Sequence, residues 1–359
     1  MANAHDFHAL TVSGLERITD DSVAISFDVP DELADLYAFS PGQHLTIRRR
    51  EAGEEVRRSY SICCSPGSGR LRVAVRSLPE GVFSTYALNE LEVGERLDVM
   101  TPAGSFTTGF APDRRRHYAM VAAGSGITPV LSLVATALEV EPNSEVTLVY
   151  GNRTTSSIMF IEEIADLKDK YADRFQIINL LSREDIGVEM LSGRIDAPRL
   201  ARICEALMPV ESVDEWFLCG PFEMVIGVRD WLKDNSVKPA NVHFELFHVE
   251  DSPRERRPRK EVAAPEDLSK ITFIMGGVSS SFDLERDTVP ILDAALGVRA
   301  DVPFACKGGV CGTCRCRLVE GEVEMERNYA LEPEELDRGI RLACQSRPLT
   351  DKVTVDFDV

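Results

Sequence analysis

The chain has 359 residues and a formal net charge of −19, with 44% hydrophobic and 28% charged residues. Its length predicts two or three domains, and its composition is that of a soluble globular protein with a sizeable core. The acidic excess argues against a nucleic-acid partner. Residues 1–9 show no secretory signal pattern, and no apolar run approaches the ~20 residues of a membrane helix, so no membrane segment is expected. The cytoplasm is the expected compartment, where the 9 cysteines stay reduced.

Residues 1–112 read as short strands. The runs 10–12, 23–27, 44–47 and 71–75 alternate or are β-branched, and Pro30, Pro41-Gly42, Pro66-Gly67 and Pro102-Ala103-Gly104 punctuate them. Short strands at close spacing predict an antiparallel β-barrel. Residues 81–88 are the exception and predict a short helix.

Near residue 117 the texture changes. The apolar run 118–123 enters Gly124-Ser125-Gly126-Ile127-Thr128-Pro129, then a helix is predicted over 130–138. The runs 146–150, 176–181 and 215–219 repeat the pattern and end at Gly151-Asn152-Arg153, Ser182-Arg183 and Gly220-Pro221. Apolar strands alternating with helices predict a parallel sheet covered on both faces, with ligands at the carboxyl ends of its strands. The stretch 250–265 is charged and proline-bearing, and reads as a linker. A compact β-rich domain follows. The expected architecture is therefore multidomain: an antiparallel β-barrel over 1–112, an α/β parallel-sheet nucleotide-binding domain over 113–249, a linker over 250–265 and an α+β domain over 266–359.

Cys306, Cys311, Cys314 and Cys344 are spaced C-x4-C-x2-C-x29-C, the plant-type ferredoxin pattern for a 2Fe–2S cluster. Each iron needs two thiolates beside the bridging sulfides, so four cysteines must converge. Gly308, Gly309 and Gly312 let the loop bend closely round the cluster. Zinc favours paired short knuckles or Cys/His mixtures, and a disulfide framework suits a small secreted chain. Cys316 is expected to start a strand and pack as a small hydrophobe. The remaining cysteines have no partner at metal spacing.

Arg58-Ser59-Tyr60-Ser61 offers a cation, an aromatic face and hydroxyls on a strand, which is what a flavin needs; alone, it also suits an ordinary edge strand. Gly81-Val82-Phe83-Ser84 opens the predicted helix, whose free N–H groups suit phosphate. Gly124 to Pro129 lacks the third glycine of the dinucleotide fingerprint but has its strand-to-helix context. A plain structural turn is the alternative. Cys219 ends a strand where a thiol reaches a nicotinamide, or is a buried structural cysteine. His243-Phe244-Glu245-Leu246-Phe247 by itself reads as a strand.

Taken together and in this order, these motifs resemble the ferredoxin–NADP reductase superfamily. With the C-terminal ferredoxin pattern, the chain resembles the reductase components of bacterial multicomponent oxygenases. The wording of 57–63, 149–153 and 243–247 is similar to the reductase subunits of phenylacetyl-CoA epoxidases. Reductases of 3-ketosteroid 9α-hydroxylases are similar in the same places. The resemblance implies FAD on Arg58, Ser59, Tyr60, Ser61, Val75, Gly81, Val82, Phe83 and Ser84. It implies a nicotinamide dinucleotide on Gly124, Gly126, Thr128, Pro129, Cys219, Gly220 and Pro221. Ser61, Cys219 and Glu245 match the catalytic residues that assist hydride transfer, and Phe247 matches the aromatic that stacks on the flavin. Ser182, Arg183 and Arg153 match a grip on the 2′-phosphate of NADPH; Glu184 and Asp185 are the features that favour a ribose 2′-hydroxyl, hence NADH. The implied partner is an oxygenase component. The acidic stretch 320–337 is either its docking face or a solvated surface.

Overall fold

The computed structural model describes residues 7–51, 54–247, 268–286 and 288–359. The chain divides into two compact units, residues 6–247 and residues 248–359 with the first five. The expected linker at 250–265 lies outside the described residues.

In the larger unit, β1 (Phe7–Thr19), β2 (Ser22–Asp28), β3 (His44–Glu51), β4 (Glu54–Ser61), β5 (Leu71–Arg76) and β6 (Arg96–Met100) form a six-stranded antiparallel sheet, ordered β4-β3-β6-β1-β2-β5. The ends of the sheet meet where Ile62 pairs with Val73, and the Cys63 N–H donates to the Arg72 carbonyl at 2.9 Å. Alternation decides what fills the barrel: Leu10, Val12, Ile25, Leu45, Ile47, Val73, Val75 and Val99 are fully buried inside. The helix α1 (Val82–Asn89) closes one end with Phe83, Tyr86 and Ala87.

The second part of this unit is a five-stranded parallel sheet. It comprises β7 (His117–Ala123), β8 (Glu145–Asn152), β9 (Phe175–Leu181), β10 (Glu215–Gly220) and β11 (Val242–Leu246), ordered β11-β10-β7-β8-β9. The helices α2 (Ile127–Val140), α3 (Ile161–Lys170), α4 (Ala197–Leu207) and α5 (Phe222–Asp234) connect the strands. Chain order runs outward from β7 to β9, then returns to the other side of β7 at β10. That reversal opens a crevice beyond the carboxyl ends of β7 and β10, where such sheets bind ligands.

Barrel and sheet share a core that includes Ala24, Cys63, Ala74 and Phe106 with residues of α2 and β7. Arg72 on β5 is almost fully buried at this junction. Its guanidinium bonds Glu163 of α3 at 2.8 Å and Glu16 of β1 at 2.6 Å, and lies over the Phe160 ring. Removing one partner from a buried ion pair costs about 3–5 kcal/mol. Glu16 and Glu163 keep 64% and 35% side-chain exposure, which places Arg72→Ala near the lower end. Urea denaturation is expected to show that loss, with Arg72→Met recovering part of it through packing of its stem.

The smaller unit carries β12 (Leu268–Met275), β13 (Val278–Glu285), α6 (Ile291–Leu296), β14 (Arg315–Glu320), β15 (Val323–Met325), α7 (Pro333–Asp337), β16 (Ile340–Leu342), β17 (Ser346–Pro348) and β18 (Lys352–Asp356). The main sheet runs β13-β12-β18-β14-β16, with β12 and β18 parallel, and β15 pairs with β17. Ile271, Phe273, Ile291, Val302, Leu342 and Val353 form its core. Cys316 is fully buried on β14, as a strand residue there should be.

Candidate redox sites

The crevice gathers residues from three distant stretches. Ser61 ends β4, Cys219 is the last residue but one of β10, and Glu245 lies opposite Cys219 on β11. The Ser61 hydroxyl donates to Glu245 Oε2 at 3.1 Å. His44, at the start of β3 and in register with Ser61, places Nδ1 3.8 Å from Glu245 Oε1. Burial pushes the Glu245 carboxyl up to about 8, with the Ser61 hydrogen bond pulling the other way. Burial, then the Glu245 charge, drives the Cys219 thiol well above its ordinary range, so it stays neutral. His44 was not anticipated as a site residue. Its signal was pairing: a two-strand hairpin that ends with Ser61 must begin with His44.

Along β4, Arg58 is exposed, Ser59 and Tyr60 are half-buried, and Ser61 is buried. Tyr60 lies against Phe83 with ring centroids 5.4 Å apart. Val75 and Phe83 put their side chains into the barrel core, so only their backbones can face a cofactor. The Ser84 hydroxyl donates to the Gly81 carbonyl at 3.1 Å and accepts from the Leu78 N–H at 3.2 Å. It fastens the turn before α1 and orients that helix start. Val82 is exposed beside it.

The glycine turn after β7 has a packing role beside the one its sequence suggests. A Cβ on Gly126 would lie 2.1 Å from the Cys219 carbonyl oxygen. Gly126 is thus required for the start of α2 to pass the end of β10. The Thr128 hydroxyl donates to the Ser125 carbonyl at 3.0 Å and is buried with Pro129. Gly124 accepts from the Tyr150 hydroxyl at 3.1 Å. Asn152, at the end of β8, buries its carboxamide close enough to act on the Tyr150 hydroxyl, yet with neither atom in a hydrogen bond of ordinary geometry. An orphan of this kind costs about 1–3 kcal/mol, so a polar ligand in the crevice suits it.

Arg153 and Arg183 leave neighbouring strand ends side by side. The Ser182 N–H donates to Asn152 O at 2.9 Å and the Arg183 N–H to Arg153 O at 2.8 Å. Both arginines are exposed. The Glu184 carboxylate accepts from the Thr155 N–H at 2.7 Å and its hydroxyl at 2.9 Å. Asp185 accepts from the Gly187 N–H at 2.8 Å. Glu184 is therefore engaged by the loop after β8, and Asp185 by its own loop. Gly220 and Pro221 turn β10 into α5, and Phe247 is exposed just past β11.

In the smaller unit the four cysteines form two pairs. The thiols of Cys306 and Cys311 perturb each other's titration, as do those of Cys314 and Cys344, and Cys314 and Cys344 also feel the charges of Cys311 and Cys306; all four are free cysteines. Cys306 is held below the usual thiol range by the Cys311 thiol and by the N–H groups of Gly308, Val310 and Cys311. Cys344 is lowered by the Cys314 thiol, with help from Gln345 and Gly309. Among the described residues no three His, Cys, Asp or Glu converge on a single ion. Two adjacent thiol pairs are instead what a two-iron cluster requires. Thr313 buries its hydroxyl close enough to act on the Cys311 sulfur, yet without a hydrogen bond of ordinary geometry. That orphan fits a sulfur-rich occupant.

Residues 9–108 match the oxidoreductase FAD-binding domain, 120–230 the oxidoreductase NAD-binding domain, and 274–349 the 2Fe-2S iron-sulfur cluster binding domain. The chain is 44% identical over 354 residues to a subunit of the 1,2-phenylacetyl-CoA epoxidase of Escherichia coli (strain K12), with 98% of each covered. The chain belongs to this family of oxygenase reductase components. The 3-ketosteroid-9-alpha-monooxygenase ferredoxin reductase component of Rhodococcus rhodochrous is 35% identical, with 97% of this chain and 96% of that protein covered. Phthalate dioxygenase reductase shares the multidomain fold at a TM-score of 0.59 and 23% identity, covering 98% of each chain. As a family member the chain is an oxidoreductase of FAD, a nicotinamide dinucleotide and a 2Fe–2S cluster, and it serves an oxygenase. No described helix is long and apolar enough to cross a membrane.

The acidic stretch is partly spent inside its own unit. Glu320 accepts from Thr354, Glu326 pairs with Arg347, and Glu335 bonds the Glu332 N–H and pairs with Arg315. Glu322, Glu324, Glu334 and Asp337 remain exposed.

Proposed function

We propose that this chain is the NADPH-dependent reductase of a phenylacetyl-CoA epoxidase, working in the cytoplasm without nucleic acid or membrane. The identity of 44% over nearly the whole chain carries the choice of partner. Bound FAD would supply two-electron chemistry with the nicotinamide, and a bound 2Fe–2S cluster would supply one-electron transfer.

The chain's residues take the following parts. Arg58, Ser59, Tyr60 and Ser61, with the backbone from Val75 and from Gly81 to Ser84, hold FAD. Gly124, Gly126, Thr128 and Pro129, with Gly220 and Pro221, shape the dinucleotide crevice. Phe247 covers the flavin. Ser61 and Glu245 hold a proton at the crevice floor, and the neutral Cys219 thiol would pack against the nicotinamide. Cys306, Cys311, Cys314 and Cys344 hold the cluster. The domain limits follow as 1–112 for FAD, 113–249 for the dinucleotide, 250–265 for the linker and 266–359 for the ferredoxin.

NADPH over NADH is supported by the two exposed arginines, and by Glu184 being turned away to Thr155. Hydrogen bonds to a charged phosphate contribute about 1.5–3 kcal/mol, roughly 10–150-fold. Arg183→Ala is expected to raise KM for NADPH by about tenfold or more on that scale, leaving NADH nearly unchanged. Equal effects on both coenzymes would refute the assignment.

Reconstitution tests the whole reading. Oxygen consumption by an epoxidase core with phenylacetyl-CoA and NADPH should depend on this chain. If the core stays idle while a 3-ketosteroid 9α-hydroxylase oxygenase is driven, the partner is the steroid enzyme. The exposed acids around 320–337 are proposed to steer docking, so transfer to the partner should slow as salt is raised.

A further inference from the structure

We propose that Gln345 is a positioning residue for the iron–sulfur cluster, tying the Cys306 loop to the turn that carries Cys344 and donating to the Cys344 sulfur so as to raise the cluster's reduction potential. The inference rests on the assignment of the four cysteines as ligands.

Gln345 is buried directly after Cys344. Its Nε2 lies 2.8 Å from the Lys307 carbonyl oxygen, 3.0 Å from the Cys344 carbonyl oxygen and 3.5 Å from Cys344 Sγ. One carboxamide therefore bridges the first ligand's loop and the fourth ligand's turn between β16 and β17. The loop needs such a tie, because Lys307 sits in the left-handed region at φ 53° without being glycine. The stem of Gln345 also shapes the loop. A Cβ on Gly309 would meet Gln345 Cγ at 3.1 Å and the Arg327 carbonyl oxygen at 3.0 Å. The backbone of Gln345 is pinned as well, donating to Leu342 O at 2.9 Å and accepting from the Glu326 N–H at 3.0 Å.

The two ends of the site are served differently. At Cys306 the sulfur receives the Gly308 backbone N–H at 3.3 Å, which no side-chain substitution removes. At Cys344 a side chain, that of Gln345, acts beside the Gly309 backbone, so part of the donation at this end can be tuned by sequence. Reduction adds a negative charge to the cluster and its thiolates. A buried N–H aimed at a ligand sulfur stabilises that reduced form more than the oxidised one. Losing the donor should therefore lower the potential and make the cluster a poorer acceptor from the flavin.

The test uses the full chain with Gln345→Met, which keeps the length and loses the donor, and Gln345→Leu. Loading is read from the visible and EPR spectra of the cluster, and the potential from spectroelectrochemical titration. A fall of about tenfold in the reduction equilibrium, about 59 mV for one electron, is expected in both variants. A fully loaded cluster at the wild-type potential would overturn the proposal. If neither variant loads, pulsed EPR on the reduced wild-type chain with glutamine side chains labelled with ¹⁵N decides. Coupling to the labelled nitrogen supports the hydrogen bond, and its absence rejects it. Persistence of an unchanged cluster in Cys344→Ala would instead reject the ligand assignment, a distinguishable failure.

Discussion

Replacing Cys314 with alanine is expected to remove the visible absorption and EPR signal of the 2Fe–2S cluster while NADPH-dependent ferricyanide reduction continues. Cys314 is buried in the core of the smaller unit and its thiol is paired with Cys344. Without it one iron keeps a single thiolate. The flavin and dinucleotide residues belong to the other compact unit, which has its own cores. Electron delivery to the oxygenase should fall by more than the ~10–100-fold that loss of an outer hydrogen bond to a metal ligand costs. Cys316→Ala is the control. Its thiol is buried on β14 and donates to the Arg341 carbonyl at 3.6 Å, so the cluster should survive. Retention of iron and spectrum in Cys314→Ala would sink the ligand set.

Glu245→Gln is expected to slow NADPH oxidation by about a hundredfold, within the ~10²–10⁴ that a positioned proton donor or acceptor contributes. It should also erase a limb near pH 8 in the rate profile. The reason lies in the crevice, where burial keeps the carboxyl protonated up to about 8. His44, Ser61 and Cys219 are the groups that face it. The linkage has a definite sign. A carboxyl whose folded pKa is raised binds its proton more tightly in the fold than in the unfolded chain. Its contribution to stability is therefore present at low pH and is lost as pH rises from about 4.5 toward 8. Urea midpoints measured across that window should slope downward more steeply in wild type than in Glu245→Gln. Identical slopes and an unchanged rate limb would remove Glu245 from the proton path.

Much of the architecture was legible in the sequence because its signals are local. The apolar runs that became β7 to β10 each end in a glycine or Ser-Arg turn, and the cysteine spacing is contained in one loop plus one residue. The hairpin of β3 and β4 was harder to read. Its tip is charged, with Arg48, Arg49 and Arg50 facing Arg57, Val56 and Glu55, so no apolar alternation marks it. The helices α3 and α4 were also unmarked, being polar on their outer faces; α4 is announced only by the Asp196 cap on the Arg199 N–H at 2.8 Å. The crevice residues were placed by resemblance, since Ser61, Cys219 and Glu245 meet only through strand register. That same register brings in His44, which no motif flagged. The part played by Gly126 was likewise invisible, because its neighbour is the backbone of a strand about ninety positions away.

That contact has a bearing on redesign of the enzyme. With Gly126 packed on the Cys219 carbonyl, the loop proposed to receive the coenzyme and the thiol proposed to lie beside it are held as one block. Any residue larger than glycine at 126 would push β10 away, shifting Cys219 and its neighbour Glu245 at the same stroke. Attempts to switch coenzyme preference are therefore best confined to the outer rim, at Arg153 and Arg183. There a side chain can be exchanged without disturbing the alignment on which turnover depends.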